Sequence, residues 1–217
     1  MSGLRTGGGG PHAGRPVAQA GTPLERARAA LILVHGRGGS AADMLGLARH
    51  VAAPGMAWLA PEAAGNTWYP HRFLEPVARN EPFLSSALAV LEDLVARSGL
   101  PPERVALLGF SQGACLALEF LARRRAPLGA VIGLSGGLIG DRLPAPAPEA
   151  VEVLGGTPVL LGCSRQDFHI PEPRVLETEA VLRGLGAAVT TRLYEGDFHG
   201  VNAEEVELAQ AMLERLA

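Results

Sequence analysis

From about residue 30 onward, short apolar runs alternate with longer stretches whose apolar residues recur at helical spacing. Ala30–Val34, Met56–Ala60, Arg104–Phe110, Ala130–Leu134, Pro158–Gly162 and Val189–Tyr194 read as strands, the first stopping at Gly36-Arg37-Gly38-Gly39 and the second at Pro61. Ala41–Val51, Leu84–Arg97, Ser111 to about Arg123, Val175–Leu185 and Ala203–Leu216 read as helices. Leu84, Leu88, Leu91 and Val95 line one helical face, and Ser40 with Asp43 has the spacing of a capping box. A chain that alternates in this way predicts a mostly parallel sheet covered by helices on both faces. The proline-rich Leu143 to Pro148 interrupts the pattern once, and no insertion is long enough for a separate cap domain.

The chain has 217 residues and 19 basic side chains, every one of them arginine. Without lysine there is no Schiff-base or pyridoxal-phosphate chemistry, no P-loop hydrolase and no S-x-x-K acylase. A net charge of −3 argues against a nucleic-acid partner. Cys115 and Cys163 lie in apolar stretches and read as buried free thiols. No apolar run approaches the roughly 20 residues that span a membrane. Residues 1–23 carry Gly7 to Gly10 but no hydrophobic signal region, so they are expected to form a flexible Gly/Pro-rich tail ahead of a domain over 24–217. The expected location is the cytoplasm. A homodimer is left open.

Gly109-Phe110-Ser111-Gln112-Gly113 matches G-x-S-x-G, the elbow in which glycines flank a serine on a tight strand-to-helix turn. Gly133-Leu134-Ser135-Gly136-Gly137 matches as well. Ser111 is followed at once by a helix, whose first amides can receive an oxyanion, whereas Ser135 runs toward prolines. Ser111 is therefore the candidate nucleophile. A serine hydroxyl needs a base, and the base an orienting acid. Asp167 and His199 follow later strands in the order this chemistry uses. Asp197 stands too close to His199 in sequence to orient it well, and His169 has no later acid to serve it.

Gly36-Arg37-Gly38-Gly39 follows the first strand of the alternation. In an acyl hydrolase this turn supplies an oxyanion-hole N–H, here that of Arg37, beside the N–H of Gln112. Two other descriptions remain: an ordinary glycine turn, and a weak dinucleotide fingerprint through Gly36, Gly38 and Ala41 that lacks its acidic partner. His35 reads as structural. The repeated Asp-Phe-His, at 167–169 and 197–199, raises a metal site as a competing idea, without any H-x-H or H-E-x-x-H beside it. Trp68 and Tyr69, with Phe73, are candidates for the wall of an acyl pocket.

Together these segments resemble the phospholipase/carboxylesterase family of α/β-hydrolases, which includes acyl-protein thioesterases and dienelactone-hydrolase-like esterases. The likeness is carried by Leu33-Val34-His35-Gly36-Arg37-Gly38, Trp68-Tyr69-Pro70, Gly109 to Ala114, Leu134-Ser135-Gly136-Gly137, Asp167 to Pro171 and His199. It implies an α/β-hydrolase fold without a large lid and a serine hydrolase that uses no cofactor and no metal. It places Ser111, Asp167 and His199 on the nucleophile, acid and base positions, and Arg37 and Gln112 on the oxyanion positions. Two departures stand out. Ser164 lies where such proteins commonly have glycine, and the usually small approach to the histidine is Asp197-Phe198, so Phe198 is expected to narrow the pocket or to alter the His199 hydrogen bond. The expected substrate is a small-molecule ester with a short-to-medium acyl group. Thioesters and lysophospholipids are alternatives on the same triad, and a metal-dependent hydrolase or a non-catalytic binding protein is the alternative of another class.

Overall fold

The computed structural model describes residues 3–144 and 152–217. Its elements are β1 (Val17–Gly21), β2 (Ala29–Val34), α1 (Ala41–Val51), β3 (Met56–Pro61), α2 (Phe83–Arg97), β4 (Val105–Phe110), α3 (Gln112–Arg124), β5 (Ala130–Leu134), β6 (Pro158–Ser164), α4 (Glu172–Gly184), β7 (Ala188–Tyr194) and α5 (Ala203–Glu214). The seven strands form one sheet in the order β1-β3-β2-β4-β5-β6-β7. Only β1 runs antiparallel, against β3. This is the mostly parallel sheet expected from the alternation, in the α/β-hydrolase architecture that the resemblance implies. Most of the proline-rich segment Leu143 to Pro148 lies outside the described residues.

Two apolar cores sandwich the sheet, and the pleat divides each strand between them. Ile32, Leu107, Val131 and Leu161 pack toward α2, α3 and α4 through Leu91, Leu118 and Val175. Their strand neighbours Leu31, Leu108, Ile132 and Leu160 face α1 and α5, where Met44, Ala48, Ala209 and Leu213 wait. Burial on both faces is why β2 reads as an unbroken apolar run rather than an alternating one. The chain leaves β2 toward β3 on one side, then returns to add β4 on the other. The carboxyl ends of β2 and β4 therefore sit side by side at the point where strand order reverses, with Val34 paired to Gly109. Ligands of open α/β sheets bind at such points. Among the described residues, no helix is long and apolar enough to cross a membrane.

The amino-terminal segment departs from the expected flexible tail. Val17–Gly21 is strand β1, registered from Val17 opposite Pro61 to Gly21 opposite Ala57. Residues 4–17 fold back on themselves, with Thr6 N–H on Arg15 O and Val17 N–H on Leu4 O. The resulting strap lies across α2, where Gly7 N–H donates to Asp93 Oδ2 and His12 N–H to Ser86 Oγ. The glycines that suggested flexibility serve this packing: Gly8, Gly10 and Gly14 take positive φ, and a Cβ on Gly7 would collide with the Asp93 carboxylate.

Candidate active site

β4 ends at Phe110 and α3 begins at Gln112, which leaves Ser111 alone to make the turn at φ 54°, ψ −118°. Few non-glycine residues hold a left-handed φ, and they do so where the surroundings compel it. The compulsion here is close packing. A Cβ on Gly113 would overlap the Val34 carbonyl, and one on Gly109 would overlap the Gly113 carbonyl. Helix α3 therefore approaches β2 and β4 as nearly as backbone permits, and Ser111 is lifted onto the crest. Ser135 shares the positive φ, but it is buried, its Oγ has no hydrogen-bond partner among the described residues, and residues 136–144 after it are not helical. The tertiary environment thus separates two matches that share one pattern.

Three chain segments converge at the crest. His199, in the turn between β7 and α5, brings Nε2 to 2.9 Å from Ser111 Oγ. Its Nδ1 lies 2.6 Å from Asp167 Oδ2, beyond the end of β6. The Asp167 carboxylate has no exposed side-chain surface, and its Oδ1 accepts the N–H groups of His169 and Ile170 at 2.8 and 3.1 Å. An ionised carboxylate only accepts, so His199 donates through Nδ1–H and presents a bare Nε2 to the serine. The paired Asp-Phe-His segments are used crosswise, aspartate from the first and histidine from the second. His169 stands 4.9 Å from the His199 ring, and Asp197 is exposed to solvent. Among the described residues, no three His, Cys, Asp or Glu side chains converge as a metal ligand set.

Arg37 and Gln112 border the same cleft, of about 580 Å³, with Ser111 and His199. No described residue accepts either main-chain N–H, as expected for Gln112 at the first position of a helix. Their side chains are anchors that sequence spacing did not reveal. Gln112 Oε1 accepts Trp68 N–H and its Nε2 donates to Tyr69 O. The Arg37 guanidinium donates to the carbonyls of Tyr69, Pro70 and His71. The turns after β2 and β4 thus grip the loop between β3 and α2.

The proposed pocket aromatics divide. Tyr69 borders the cleft, deeply buried beside Cys115, and burial raises its hydroxyl pKa well above the ordinary range. Trp68 does not reach the cleft. Its indole is wholly buried between the rings of His12 and His35 and donates Nε1–H to His35 O, because a buried indole N–H requires an acceptor and the core supplies one. Phe198 is 63% exposed and lies over Gly200, outside the cleft, so it does not narrow the pocket. The missing apolar wall comes from Phe73, Phe110, Cys115 and Ile170. For Cys115 the available signal is its position one helical turn after Ser111. Burial pushes its thiol up to about 12, which leaves it an apolar lining group at neutral pH.

Residues 17–217 match the phospholipase/carboxylesterase family. A crystal structure of a phospholipase/carboxylesterase from Dyadobacter fermentans is 37% identical, with a TM-score of 0.85 over 92% of this chain and 96% of that one. Esterase PE8 is 27% identical, with a TM-score of 0.71 over 92% and 98%. Acyl-protein thioesterase 1 of Gibberella zeae is 31% identical over 118 residues, which is 54% of this chain and 50% of the relative. The match therefore spans about half the length of that curated protein. With seven strands among the described residues in the α/β-hydrolase order and a family match running from β1 to the last residue, the chain belongs to the phospholipase/carboxylesterase family.

Proposed function

We propose that the protein is a serine carboxylesterase that hydrolyses short-to-medium acyl esters through an acyl-enzyme on Ser111. The observation that carries this reading is the continuous chain Ser111 Oγ, His199 Nε2, His199 Nδ1, Asp167 Oδ2, with separations of 2.9 and 2.6 Å. His199 takes the hydroxyl proton as Oγ attacks the ester carbonyl. The negative charge that develops on the carbonyl oxygen is met by the free N–H groups of Arg37 and Gln112, a fixed pair that needs no reorganisation. Asp167 holds the imidazole in the required tautomer and stabilises it once protonated. The protonated His199 then gives its proton to the leaving alcohol, and the acyl group stays on Ser111. Water, activated by the same histidine, releases the acid and restores the serine.

The cleft favours small substrates. Its volume and its apolar wall of Phe73, Phe110 and Ile170 suit an acyl chain of modest length. Because the Gibberella zeae relative is named an acyl-protein thioesterase, thioesters are the second substrate class for the same triad. Labelling with a fluorophosphonate, followed by mass mapping of the adduct, tests reaction class and nucleophile together. The adduct is expected on Ser111, and Ser111→Ala should lose both labelling and turnover of p-nitrophenyl butyrate while remaining folded. Undiminished turnover in that variant would overturn the mechanism.

A further inference from the structure

The oxyanion loop does not stand unsupported. Gly38 N–H donates to Asn66 O at 2.8 Å, Asn66 Nδ2 donates to Gly39 O at 2.8 Å, and Ala41 N–H donates to Glu62 Oε1 at 2.8 Å. The turn that presents the Arg37 N–H is therefore laced to residues 62–66. Asn66 itself sits at φ 54°, a conformation that its neighbours must enforce.

What enforces it comes from the amino-terminal strap. His12 is fully buried. Its Nδ1 accepts Ala64 N–H at 3.0 Å and its Nε2 meets Trp68 O at 2.9 Å. A main-chain N–H can only donate, so Nδ1 is bare and the proton resides on Nε2, which donates to Trp68 O. One ring thus satisfies two main-chain groups that flank Asn66 on either side. His35 repeats the device from β2: its Nε2 accepts Ala63 N–H and its Nδ1–H donates to Gly36 O. The two imidazoles enclose the Trp68 indole at 5.4 and 5.0 Å. Burial lowers the His12 pKa from 6.5, which keeps Nδ1 free to accept.

We infer that His12 is a positioning residue for the oxyanion hole: by clamping Ala64 and Trp68 it fixes Asn66, and through Asn66 the turn that carries the Arg37 amide. This rests on the esterase reading above. The strap is thereby part of the catalytic framework, although none of it touches the cleft. Ser86 completes the support, with its Oγ accepting His12 N–H and donating to Gly9 O. A device of this kind acts on transition-state stabilisation rather than on substrate affinity, so its loss should appear in kcat and spare KM.

The test compares His12→Phe, which keeps the ring and loses both bonds, with His12→Gln, whose side chain retains one donor and one acceptor. With p-nitrophenyl acetate, His12→Phe is expected to lower kcat roughly tenfold or more, since one oxyanion donor is worth more than that, while KM changes less than about threefold. His12→Gln should recover most of the loss. Hydrogen–deuterium exchange of the peptide spanning 62–71 reads the same coupling without substrate, and should speed up in His12→Phe but not in His12→Gln. Should His12→Phe fail to fold, Ser86→Ala leaves the ring in place and should produce a smaller change in the same direction. Wild-type kcat together with unchanged exchange in these variants would overturn the inference. A wild-type protein that turns over no ester would instead overturn the proposed function, and the exchange measurement would still decide whether His12 holds the loop.

Discussion

Ser164 Oγ donates to Phe198 O at 2.7 Å, joining the last residue of β6 to the residue before His199. Ser164 and Phe198, both singled out from the sequence, thus meet in space. Arg165 N–H on Tyr194 O and Gln166 N–H on Gly196 O extend the same seam. The turns that carry Asp167 and His199 are stitched directly to one another. Removing the serine oxygen should loosen the histidine turn. Ser164→Ala is expected to lower kcat about two- to tenfold, the worth of one hydrogen bond, with KM little changed. Steady-state kinetics on a p-nitrophenyl ester would check this, and full activity would show the seam to be redundant.

Arg37 has a main-chain N–H at the cleft and a guanidinium on the neighbouring loop, and substitution can separate the two. Arg37→Met keeps the main-chain N–H and removes the guanidinium that holds the carbonyls of Tyr69, Pro70 and His71. Loss of these bonds should destabilise the protein by roughly 1–3 kcal/mol and raise KM, because Tyr69 and Pro70 border the cleft. Thermal denaturation and KM are the measurements. A fall in kcat with KM unchanged would contradict this division of labour.

Two glycines make a matched pair. A Cβ on Gly113 would run into the Val34 and His35 carbonyls, which are main chain and cannot yield. Gly113→Ala should cost at least about 3 kcal/mol. Gly46, exposed inside α1, would meet nothing within 4 Å on gaining a methyl group, and Gly46→Ala should stabilise by about 0.5–1 kcal/mol. Denaturant midpoints that moved the same way in both would refute the packing argument.

Glu205 caps α5 reciprocally with Asn202 while almost wholly buried, and burial raises its carboxyl to about 7 from 4.5. A carboxyl whose pKa is raised by folding stays protonated longer in the native state than in the unfolded chain. Its contribution is complete below pH 4.5 and is lost as pH rises toward 7. Glu205→Gln should remove that pH dependence and stabilise the protein at about pH 8 by roughly 1–3 kcal/mol. Parallel stability profiles of the two proteins across that range would exclude it.

Much of this architecture is legible in one dimension because it is set locally. Apolar periodicity decides between strand and helix, and Gly109 and Gly113 announce a turn too tight for side chains. The boundaries of β6, α2 and α4 shift by only a few residues from the spacing. Composition misled at the amino terminus, since glycines that permit disorder also permit close packing against α2, and only the partners Asp93 and Ser86 distinguish the two.

The sequence by itself determined the alternation of elements, the serine elbow and the order in which an acid and a histidine follow it, since each depends on residues adjacent in the chain or on order along it. The tertiary structure alone decided that Ser135 is inaccessible and that Trp68 belongs to the core and Phe198 to the surface. It also decided that the guanidinium of Arg37 and the imidazole of His12 converge on one loop. Those outcomes depend on which carbonyls and amides the sheet brings within hydrogen-bonding distance, and burial and hydrogen bonding between remote segments leave no periodic trace in the residues that supply them.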